Sequence, residues 1–455
     1  MNLRCSSFGV THSIGENAIA RNRLLDAVRS FAIFGMLLRN IYVFGMPSTA
    51  YAVPIFWSGE ATAEILAFGF VELFVDGSMR TLFSILFGAT ALMLLSSGGH
   101  QSIERIDRYF WRLLTLLAIG LVHSYLLLST IDILFVYGVL GLLIFPLRNY
   151  TPRKLLNLAL AGMLFSAALA TLDFSHEFEI YSDQQTTHNI EEVDVRFVQA
   201  SASGALLPVS TNGAESSAQR LEEGWVVEIL ERQSGYLVQV FLSFESSLHN
   251  HTIELFRSHL LDVGVMILIG MALFKLGFLS GDLSTKHYIC VCIASYSLGL
   301  FINGWELIAS YPGLLVNLEL PDYSSMTYDV GRLAVAMGHL SFFAILFRLR
   351  PHLMVFRLLG AAGRMPLTNY LLQTLICIHI FFGFGFGLFG SLSHGDLLML
   401  AITIGLFQIL GSIIYLRFFR QGPVEWLLSK CSQQTHSRAG QHGPDAIQKD
   451  AVSPL

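Results

Sequence analysis

The chain has 455 residues, of which 53% are hydrophobic and 13% are charged, with a formal net charge of −5 and a mean hydropathy of +0.57. Soluble proteins usually carry about a quarter of their residues as charged side chains, so this composition excludes an ordinary soluble multi-domain protein. The negative net charge is also not that of a nucleic-acid-binding protein. The sequence therefore predicts an all-α, polytopic membrane protein that contacts membrane lipids.

Ten stretches of low charge are predicted to be helices that cross the hydrocarbon core, for which about 20 residues are needed. Residues 1–20 do not have the order of basic, apolar and small residues of a cleavable signal, so the first stretch is expected to act as an uncleaved anchor. The predicted transmembrane helices are 27–47, 80–97, 109–128, 132–147, 154–172, 258–279, 287–308, 328–347, 366–390 and 396–416.

The positions of Lys and Arg predict the orientation of these helices, because such residues are retained on the cytoplasmic side. They cluster before the first span and at 105–112, 148–154, 275–286, 348–364 and 417–430. The connections at 48–60, 129–131, 309–327 and 391–395 contain neither residue. All the clusters fall on one side, so both termini are predicted to be cytoplasmic.

Residues 61–79 are apolar but include a set of regularly spaced carboxylates. Glu60, Glu64, Glu72 and Asp76 are separated by 4, 8 and 4 positions, which places them on one helical face. This pattern predicts an interfacial or re-entrant amphipathic helix on the outer side, leading into the second span. A hairpin of two short spans would keep the same orientation, so both arrangements remain open.

The remaining boundaries follow from these spans. A long outer segment, 173–256, has more acidic than basic residues, which disfavours binding of a polyanion. Within it, 222–244 predicts an amphipathic helix on the outer surface, and the polar residues before it predict a mobile loop. The five cysteines support neither a disulfide framework nor a metal site. The full division is a cytoplasmic tail 1–22, five spans in 23–172, the outer segment 173–256, five spans in 257–428 and a disordered cytoplasmic tail 429–455.

The first span carries charged side chains at two depths. Asp26 and Arg29 are one turn apart at its start, so they can pair, or Arg29 can bind an anionic ligand or simply anchor the helix. Arg39 lies about two-thirds of the way across and needs a partner, because an unpaired charge in hydrocarbon costs several kcal/mol. The nearest carboxylates in the sequence are Glu60, Glu64 and Asp76.

The third and fourth spans place His123, Asp132 and Tyr137 around their outer connection. A histidine beside a carboxylate is oriented and made more basic, as a general base requires. The alternative is that His123 and Asp132 close the helix pair by a structural hydrogen bond.

The ninth span begins with Arg364 at its cytoplasmic entrance and places Asn369 and Gln373 on one face. Gln408 and Ser412 repeat the same spacing on the tenth span. Amide side chains that hydrogen-bond between helices hold a bundle together, and they can also line a substrate path. Both interpretations remain open from the sequence.

Seven segments, in chain order, resemble the YeiB family of bacterial inner-membrane proteins. The resemblance extends from Arg23 to Leu428 and fails only in the outer segment and the C-terminal tail. It implies a multi-pass protein of the bacterial inner membrane, in a family of undefined biochemical activity. The segments are RLLDAVRSFAIFGMLLRNI, RTLFSILFGATALML, GLVHSYLLLSTIDILFVYGVLGLLIFPLR, GMALFKLGFLSG, YDVGRLAVAMG, GRMPLTNYLLQTLI and RFFRQGPVEWL.

The beginning of the chain is also similar to the wider transmembrane acyltransferase group, in which an Arg on the first span is followed eleven positions later by His or Asn. Those positions are Arg29 and Asn40 here. The resemblance implies acyl-CoA as a cytoplasmic co-substrate, no bound cofactor, and a sugar or lipid acceptor at the periplasmic face. Arg29 would hold a CoA phosphate, and Asn40 would orient the acceptor or the acyl carbonyl.

An asparagine cannot act as a base at neutral pH, and no histidine lies between Arg29 and Gly99. The candidate base is therefore His123 with Asp132. Arg39, Arg364, Asn369 and Gln373 join Arg29 as candidate donor- or substrate-binding residues. Two other classes remain: a transporter or flippase that uses the same residues as a path, and a membrane scaffold that uses them only for packing.

Overall fold

The computed structural model describes residues 8–59, 61–96, 103–187, 195–199, 206–210, 214–279, 281, 283–311 and 323–439. These ranges form an all-helical bundle, as predicted, with one antiparallel pair of short strands in the outer segment, β1 (Val195–Gln199) and β2 (Leu206–Ser210). The helices are α1 (Phe8–Gly45), α2 (Pro54–Ser58), α3 (Thr62–Phe74), α4 (Ser78–Ser96), α5 (Ile103–Tyr125), α6 (Leu134–Ile144), α7 (Pro152–Thr187), α8 (Ala214–Arg232), α9 (Tyr236–Glu254), α10 (Leu260–Lys275), α11 (Thr285–Ser310), α12 (Ser324–Leu349), α13 (Met354–Ala362), α14 (Pro366–Phe381), α15 (His394–Phe418) and α16 (Pro423–Ala439).

The outward faces of this bundle are apolar, which is the arrangement that lipid requires. Phe301 on α11 is 66% exposed and Phe407 on α15 is 70% exposed. Each of the ten predicted spans lies on a helix, although α6 and α14 are short for a full crossing. Among the described residues, seven helical stretches are long and apolar enough to cross a membrane: Arg23–Gly45, Thr62–Leu95, Pro152–Thr171, Tyr236–Lys275, Thr285–Ser310, Met326–Leu349 and His394–Phe418.

Small residues allow the central helices to approach closely. Helix α1 contacts α4, α12, α13, α14 and α15, and it buries Ala27 and Ala32 completely. Helices α4 and α10 cross at two glycines, where a Cβ on Gly88 would lie 2.2 Å from the carbonyl oxygen of Ile267. Dispersion contacts between closely packed backbones stabilise helix pairs in lipid, where the hydrophobic effect between helices is absent.

Residues 61–79 form α3 and the turn that follows it. Helix α3 packs on α11, where Asn303 Nδ2 donates to the carbonyl of Leu73 at 3.1 Å, and on the start of α15, where Gly395 N donates to Glu64 at 2.7 Å. The chain turns at Gly77, whose φ of +61° favours glycine, and continues as α4. Residues 62–74 thus form a single helix, and the choice between an interfacial or re-entrant helix and a hairpin of two short spans stays open. The interfacial depth of this helix stays a prediction.

The outer segment is more structured than expected. The predicted single helix over 222–244 is wrong, because α8 ends at Arg232 and α9 begins at Tyr236, after the extended Gly235. Helix α9 then continues through a π-helical turn, Leu255–His259, into α10. The mobile loop was predicted for a region in which 188–194, 200–205 and 211–213 lie outside the described residues.

Helix α8 does not lie free on the surface. Trp225 is 7% exposed, its Nε1 donates to Thr49 Oγ1 at 2.8 Å, and its ring lies 5.0 Å from that of Trp57. Glu228 accepts a hydrogen bond from the backbone N of Ser48 at 3.0 Å, and burial raises the pKa of this carboxyl. The helix therefore covers the C-terminal end of α1.

Two C-terminal boundaries also differ from the prediction. Helix α14 ends at Phe381 rather than near 390, because Phe382 is extended, and Gly387 and Gly390 adopt φ of +67° and +75° in the loop that follows. The predicted disordered tail is helical as far as Ala439, since α16 packs against α5. Residues 1–7, Glu60 and 440–455 lie outside the described residues, so the predictions that fall on them are not addressed by the structure.

Candidate functional site

A cavity of about 410 Å³ lies at the end of the bundle predicted to be cytoplasmic. Charged side chains form its wall near the helix ends: Asp26, Arg29, Arg112, Arg364 and Glu425. One turn beyond Arg112 on α5 the wall becomes apolar. The apolar lining includes Phe83, Leu86, Phe87, Leu116, Leu134 and Tyr137. A cavity that is cationic at one end and apolar beyond it fits an anionic amphiphile.

Arg29 makes its shortest contact, and its ion pair, through Nη1. Its Nη1 donates to Asp26 Oδ1 at 2.8 Å, so the predicted pairing of these residues is confirmed. Longer contacts of 3.4 Å join Nη1 to the carbonyl of Gly363 and Nη2 to Thr90 Oγ1. A Cβ on Gly363 would lie 1.8 Å from the carbonyl oxygen of Asp26, so the corner between α13 and α14 touches α1 beside the ion pair.

The second carboxylate of the cavity has a structural role. Glu425 accepts from the backbone N of Leu367 at 2.7 Å and from the hydroxyl of Thr368 at 2.5 Å, and so caps the start of α14. Arg112 and Arg364 form no ion pair with the residues that the structure describes. Two guanidinium groups therefore face the charged end of the cavity without a direct ion pair, although Glu425 lies near enough to attract Arg112, and Asp26 near enough to attract Arg364.

His123 and Asp132 form a hydrogen-bonded pair, as one of the two predicted interpretations requires. His123 Nδ1 lies 2.6 Å from Asp132 Oδ1, and neither side chain is exposed. Asp132 also accepts from the backbone N of Leu134 at 3.2 Å and of Phe135 at 2.9 Å, which caps the start of α6. The pair does not line the cavity, but Leu134, whose backbone N donates to Asp132, does.

The other nitrogen of His123 contacts a hydroxyl that the sequence did not single out. Its Nε2 lies 2.8 Å from Thr374 Oγ1 on α14. An ionised Asp132 can only accept, so Nδ1 carries the proton, and in the neutral ring Nε2 accepts from the hydroxyl of Thr374. The result is a buried chain of hydroxyl, imidazole and carboxylate across α14, α5 and the start of α6.

A second histidine approaches the same carboxylate. His251 on α9 stacks on Phe135 at 4.2 Å, and its Nε2 lies 3.9 Å from Asp132 Oδ2. Its ring is 7% exposed, and both ring nitrogens are without a hydrogen-bond partner among the described residues. Within those same residues, no group of three or more His, Cys, Asp or Glu side chains is placed to hold a metal ion.

The relatives of this chain are bacterial. It is 33% identical over 419 residues to the uncharacterized protein YeiB of Escherichia coli (strain K12), a match that covers 90% of this chain and 95% of that protein. The chain belongs to the YeiB family. It is also 24% identical over 414 residues to the uncharacterized protein YxaH of Bacillus subtilis (strain 168), covering 89% of this chain and 92% of that protein.

Residues 273–434 match a family described as a protein of unknown function (DUF418). This range contains Arg364, Thr374 and Glu425, and so supplies one side of the cavity and the hydroxyl beside His123. The other side, with Arg29 and Arg112, lies outside that range. No solved structure matches the chain.

In this member of the YeiB family the outer part of α1 belongs to a different cluster. Arg39 Nε donates to Asp76 Oδ1 at 2.7 Å, so one of the three predicted partners is correct, and its guanidinium lies 4.0 Å from the ring centroid of Tyr51. Tyr51 donates to Glu72 at 2.5 Å. Asn40 is partly buried and does not line the cavity. Eleven residues separate it from Arg29, about 16 Å along the helix.

Four further charged residues form a network between α4, α10 and α12 that the sequence did not reveal. Arg80 Nη2 lies 2.8 Å from Asp262 Oδ2, and Arg332 bonds both Asp262 and Asp329. Arg332 is 1% exposed. Such a network satisfies charges that would otherwise be very costly in lipid.

The amide pairs behave as the packing interpretation predicts. Asn369 Nδ2 donates to Ser412 Oγ at 3.1 Å, and Gln373 Nε2 donates to Gln408 Oε1 at 3.2 Å. Gln408 Nε2 also donates to the backbone carbonyl of Asn369 at 3.0 Å. These bonds join α14 to α15, and none of the four residues lines the cavity.

Proposed function

We propose that the protein is an acyltransferase of the bacterial inner membrane that binds an acyl-CoA thioester in the cavity and transfers the acyl group to a sugar or lipid acceptor at the opposite face. The observation that carries this proposal is the cavity lining, in which Arg29, Arg112 and Arg364 lie with Asp26 and Glu425 at one end, while the other end is apolar. Guanidinium groups bind phosphate in a bidentate geometry, and an apolar wall accommodates an acyl chain. Acyl-CoA carries both features in one molecule.

The three arginines have different roles. Arg29 forms an ion pair with Asp26 that offsets its charge, so it positions the donor more than it attracts it. Arg112 and Arg364, which form no direct ion pair among the described residues, supply the attraction for the phosphates. The acyl chain lies between α4, α5 and α6, against Leu116, Leu134 and their neighbours. These assignments keep Arg29 and Arg364 as donor-binding residues and add Arg112.

The transfer step needs a base, and His123 supplies it. In the overall reaction a C–O bond forms between the acceptor oxygen and the acyl carbonyl carbon, the C–S bond of the thioester breaks, and CoA leaves as the thiol. His123 Nε2 takes the hydroxyl proton and passes it to the leaving sulfur, while Asp132 holds the imidazole in the required tautomer and stabilises its cation.

The experiment is titration of the purified protein in detergent with acetyl-CoA, palmitoyl-CoA and CoA itself. Charge-assisted hydrogen bonds contribute about 1.5–3 kcal/mol, so Arg112→Ala and Arg364→Ala should each weaken binding by roughly 10- to 150-fold. Arg350→Ala removes an exposed arginine from the same end of the bundle, outside the cavity, and should bind as the wild type. Absence of binding to the wild type at millimolar donor would contradict the proposal.

Transport is the second candidate function, and the observation that favours it is the ion network between α4, α10 and α12. Ionisable residues inside membrane helices often mark a substrate or proton path. Asp262 lies between Arg80 and Arg332, so a proton or anion could exchange for one of these partners. Protein reconstituted in liposomes should then move solute without covalent change, and Asp262→Asn should abolish that movement.

A further inference from the structure

The hydrogen-bond chain at His123 has the geometry of a nucleophilic triad. Thr374 Oγ1 lies 2.8 Å from His123 Nε2, and His123 Nδ1 lies 2.6 Å from Asp132 Oδ1. Both distances are within the range expected between a nucleophile, its base and the group that orients the base. Such triads are recognised by geometry and not by order or spacing, and here 251 residues separate Thr374 from His123.

We propose that Thr374 is the nucleophile of the reaction and carries the acyl group as an ester between donor and acceptor. This inference rests on the proposed acyl transfer and specifies its course. The hydroxyl of Thr374 occupies the position at Nε2 from which an acceptor hydroxyl would otherwise give up its proton. The first hydroxyl that the base can activate is therefore the protein's own.

The first half-reaction begins with the donor. Thr374 Oγ attacks the thioester carbonyl carbon, a C–O bond forms, and the C–S bond breaks. The hydroxyl proton moves to His123 Nε2 and from there to the sulfur, so CoA leaves as the free thiol. In the second half-reaction the acceptor hydroxyl attacks the ester carbonyl, its proton passes through Nε2 to Thr374 Oγ, and the acylated acceptor leaves.

A covalent relay fits the position of the triad in the bundle. Leu116 and Leu367 line the cavity, and each lies seven residues before a member of the triad on its own helix, about 10 Å away along the axis. The triad therefore lies beyond the apolar end of the cavity, toward the face predicted to be outer. His251 reaches the same carboxylate from α9, in the outer segment. Donor and acceptor can visit Thr374 from opposite sides and need not meet.

The layer between the cavity and the triad is thin. Leu134 lines the cavity while its own backbone N donates to Asp132. The ring of Tyr370 lies 5.0 Å from that of His123. Displacement of such side chains opens the path for the thioester, and the buried environment that they provide excludes water from the ester.

The test exposes the full-length protein in detergent to acetyl-CoA or palmitoyl-CoA with a labelled acyl group, with no acceptor present. After an acid quench, free CoA is counted and the label is located by intact mass and peptide mapping. We expect one acyl group per protein on the peptide that contains Thr374 and a matching release of CoA. Thr374→Ser should keep the adduct, and Thr374→Val should lose both adduct and release.

Thr403→Val is the matched control, because Thr403 is an exposed threonine that bonds only its own helix at Met399. It should form the adduct as the wild type does. Asp132→Asn should slow adduct formation by about 10⁴-fold, as expected when the tautomer of the base is lost. If Thr374→Val does not fold, the position of the label in the wild type and in Thr374→Ser still shows whether Thr374 is the acylated residue.

Three outcomes would overturn the inference. If the donor binds but no label is attached and no CoA is released, then Thr374 does not carry the acyl group, and His123 activates the acceptor hydroxyl directly. Label on Cys377, one turn away on α14, assigns the nucleophile to a thiol, and neutral hydroxylamine separates the two because it cleaves thioesters faster than esters. Absence of donor binding removes the proposed function together with the relay.

Discussion

Arg332 shows what the bundle requires of a buried charge. Its side chain is 2% exposed and bonds Asp262 and Asp329, while its Nε and Nη1 are without a partner among the described residues. The ion pairs offset part of the cost of removing three charged groups from water. Burying the network in this way leaves little tolerance for the loss of any one member.

Replacing Arg332 with Ala should therefore destabilise the protein strongly. Loss of one partner from a buried pair costs about 3–5 kcal/mol, because the remaining carboxylates are left uncompensated. Thermal unfolding in detergent measures the effect. Arg348→Ala is the control, since Arg348 is exposed and bonds only Thr285 and the backbone carbonyls of Gly281 and Leu283. Equal unfolding temperatures of the two variants would contradict the structural role of the network.

At the scale of elements, the corner between α13 and α14 places the cationic end of the cavity. Gly363 ends α13 and touches the backbone of α1 at Asp26, and Arg364 follows it. Helix α14 then starts under the cap that Glu425 of α16 provides. Contacts among α1, the corner between α13 and α14, and α16 therefore set the position of Arg364 relative to Arg29.

Gly363→Ala tests this corner. Its Cβ would meet the carbonyl oxygen of Asp26 at 1.8 Å, so the backbone must move, at a cost of about 1–3 kcal/mol as for other overpacked sites. We expect both a lower unfolding temperature and weaker acyl-CoA binding. Gly360→Ala on the same helix meets nothing within 4 Å and should lower neither. Unchanged binding in a folded Gly363→Ala protein would show that the corner does not shape the cavity.

At the scale of the whole molecule, the orientation in the membrane follows from the distribution of cations. The clusters of Lys and Arg predict that the cavity opens to the cytoplasm and that α8 and α9 lie outside. The proposed function depends on this orientation, because acyl-CoA is a cytoplasmic molecule. An inverted protein would present the cavity to the wrong compartment.

Single cysteines in a background without the native ones test the orientation in intact cells. Glu222→Cys, at an exposed position of α8, should react with an impermeant maleimide added outside. Arg420→Cys, in the exposed turn before α16, should react only after the cells are opened. The reverse pattern would invert the topology and contradict a cytoplasmic donor site.

The sequence by itself determined the class of protein, the helices on which all ten spans lie, and contacts within one helix such as Asp26 with Arg29. Hydropathy and the period of the helix are local properties, so they can be read from neighbouring residues. The sequence did not predict the split between α8 and α9 or the early end of α14. The conformation of glycine in a loop depends on what the loop packs against.

Only the tertiary structure decided which helices meet. It brought Thr374 to His123, Arg332 to Asp262, and Arg112 into a cavity with Arg29 and Arg364, and it left Asn40 away from that cavity. In a soluble protein an apolar stripe marks the face that packs on a neighbour. In lipid both the bilayer and the bundle interior are apolar, so the pattern along a helix does not identify its partner. Which helices pack together therefore depends on contacts between residues that are far apart in the sequence.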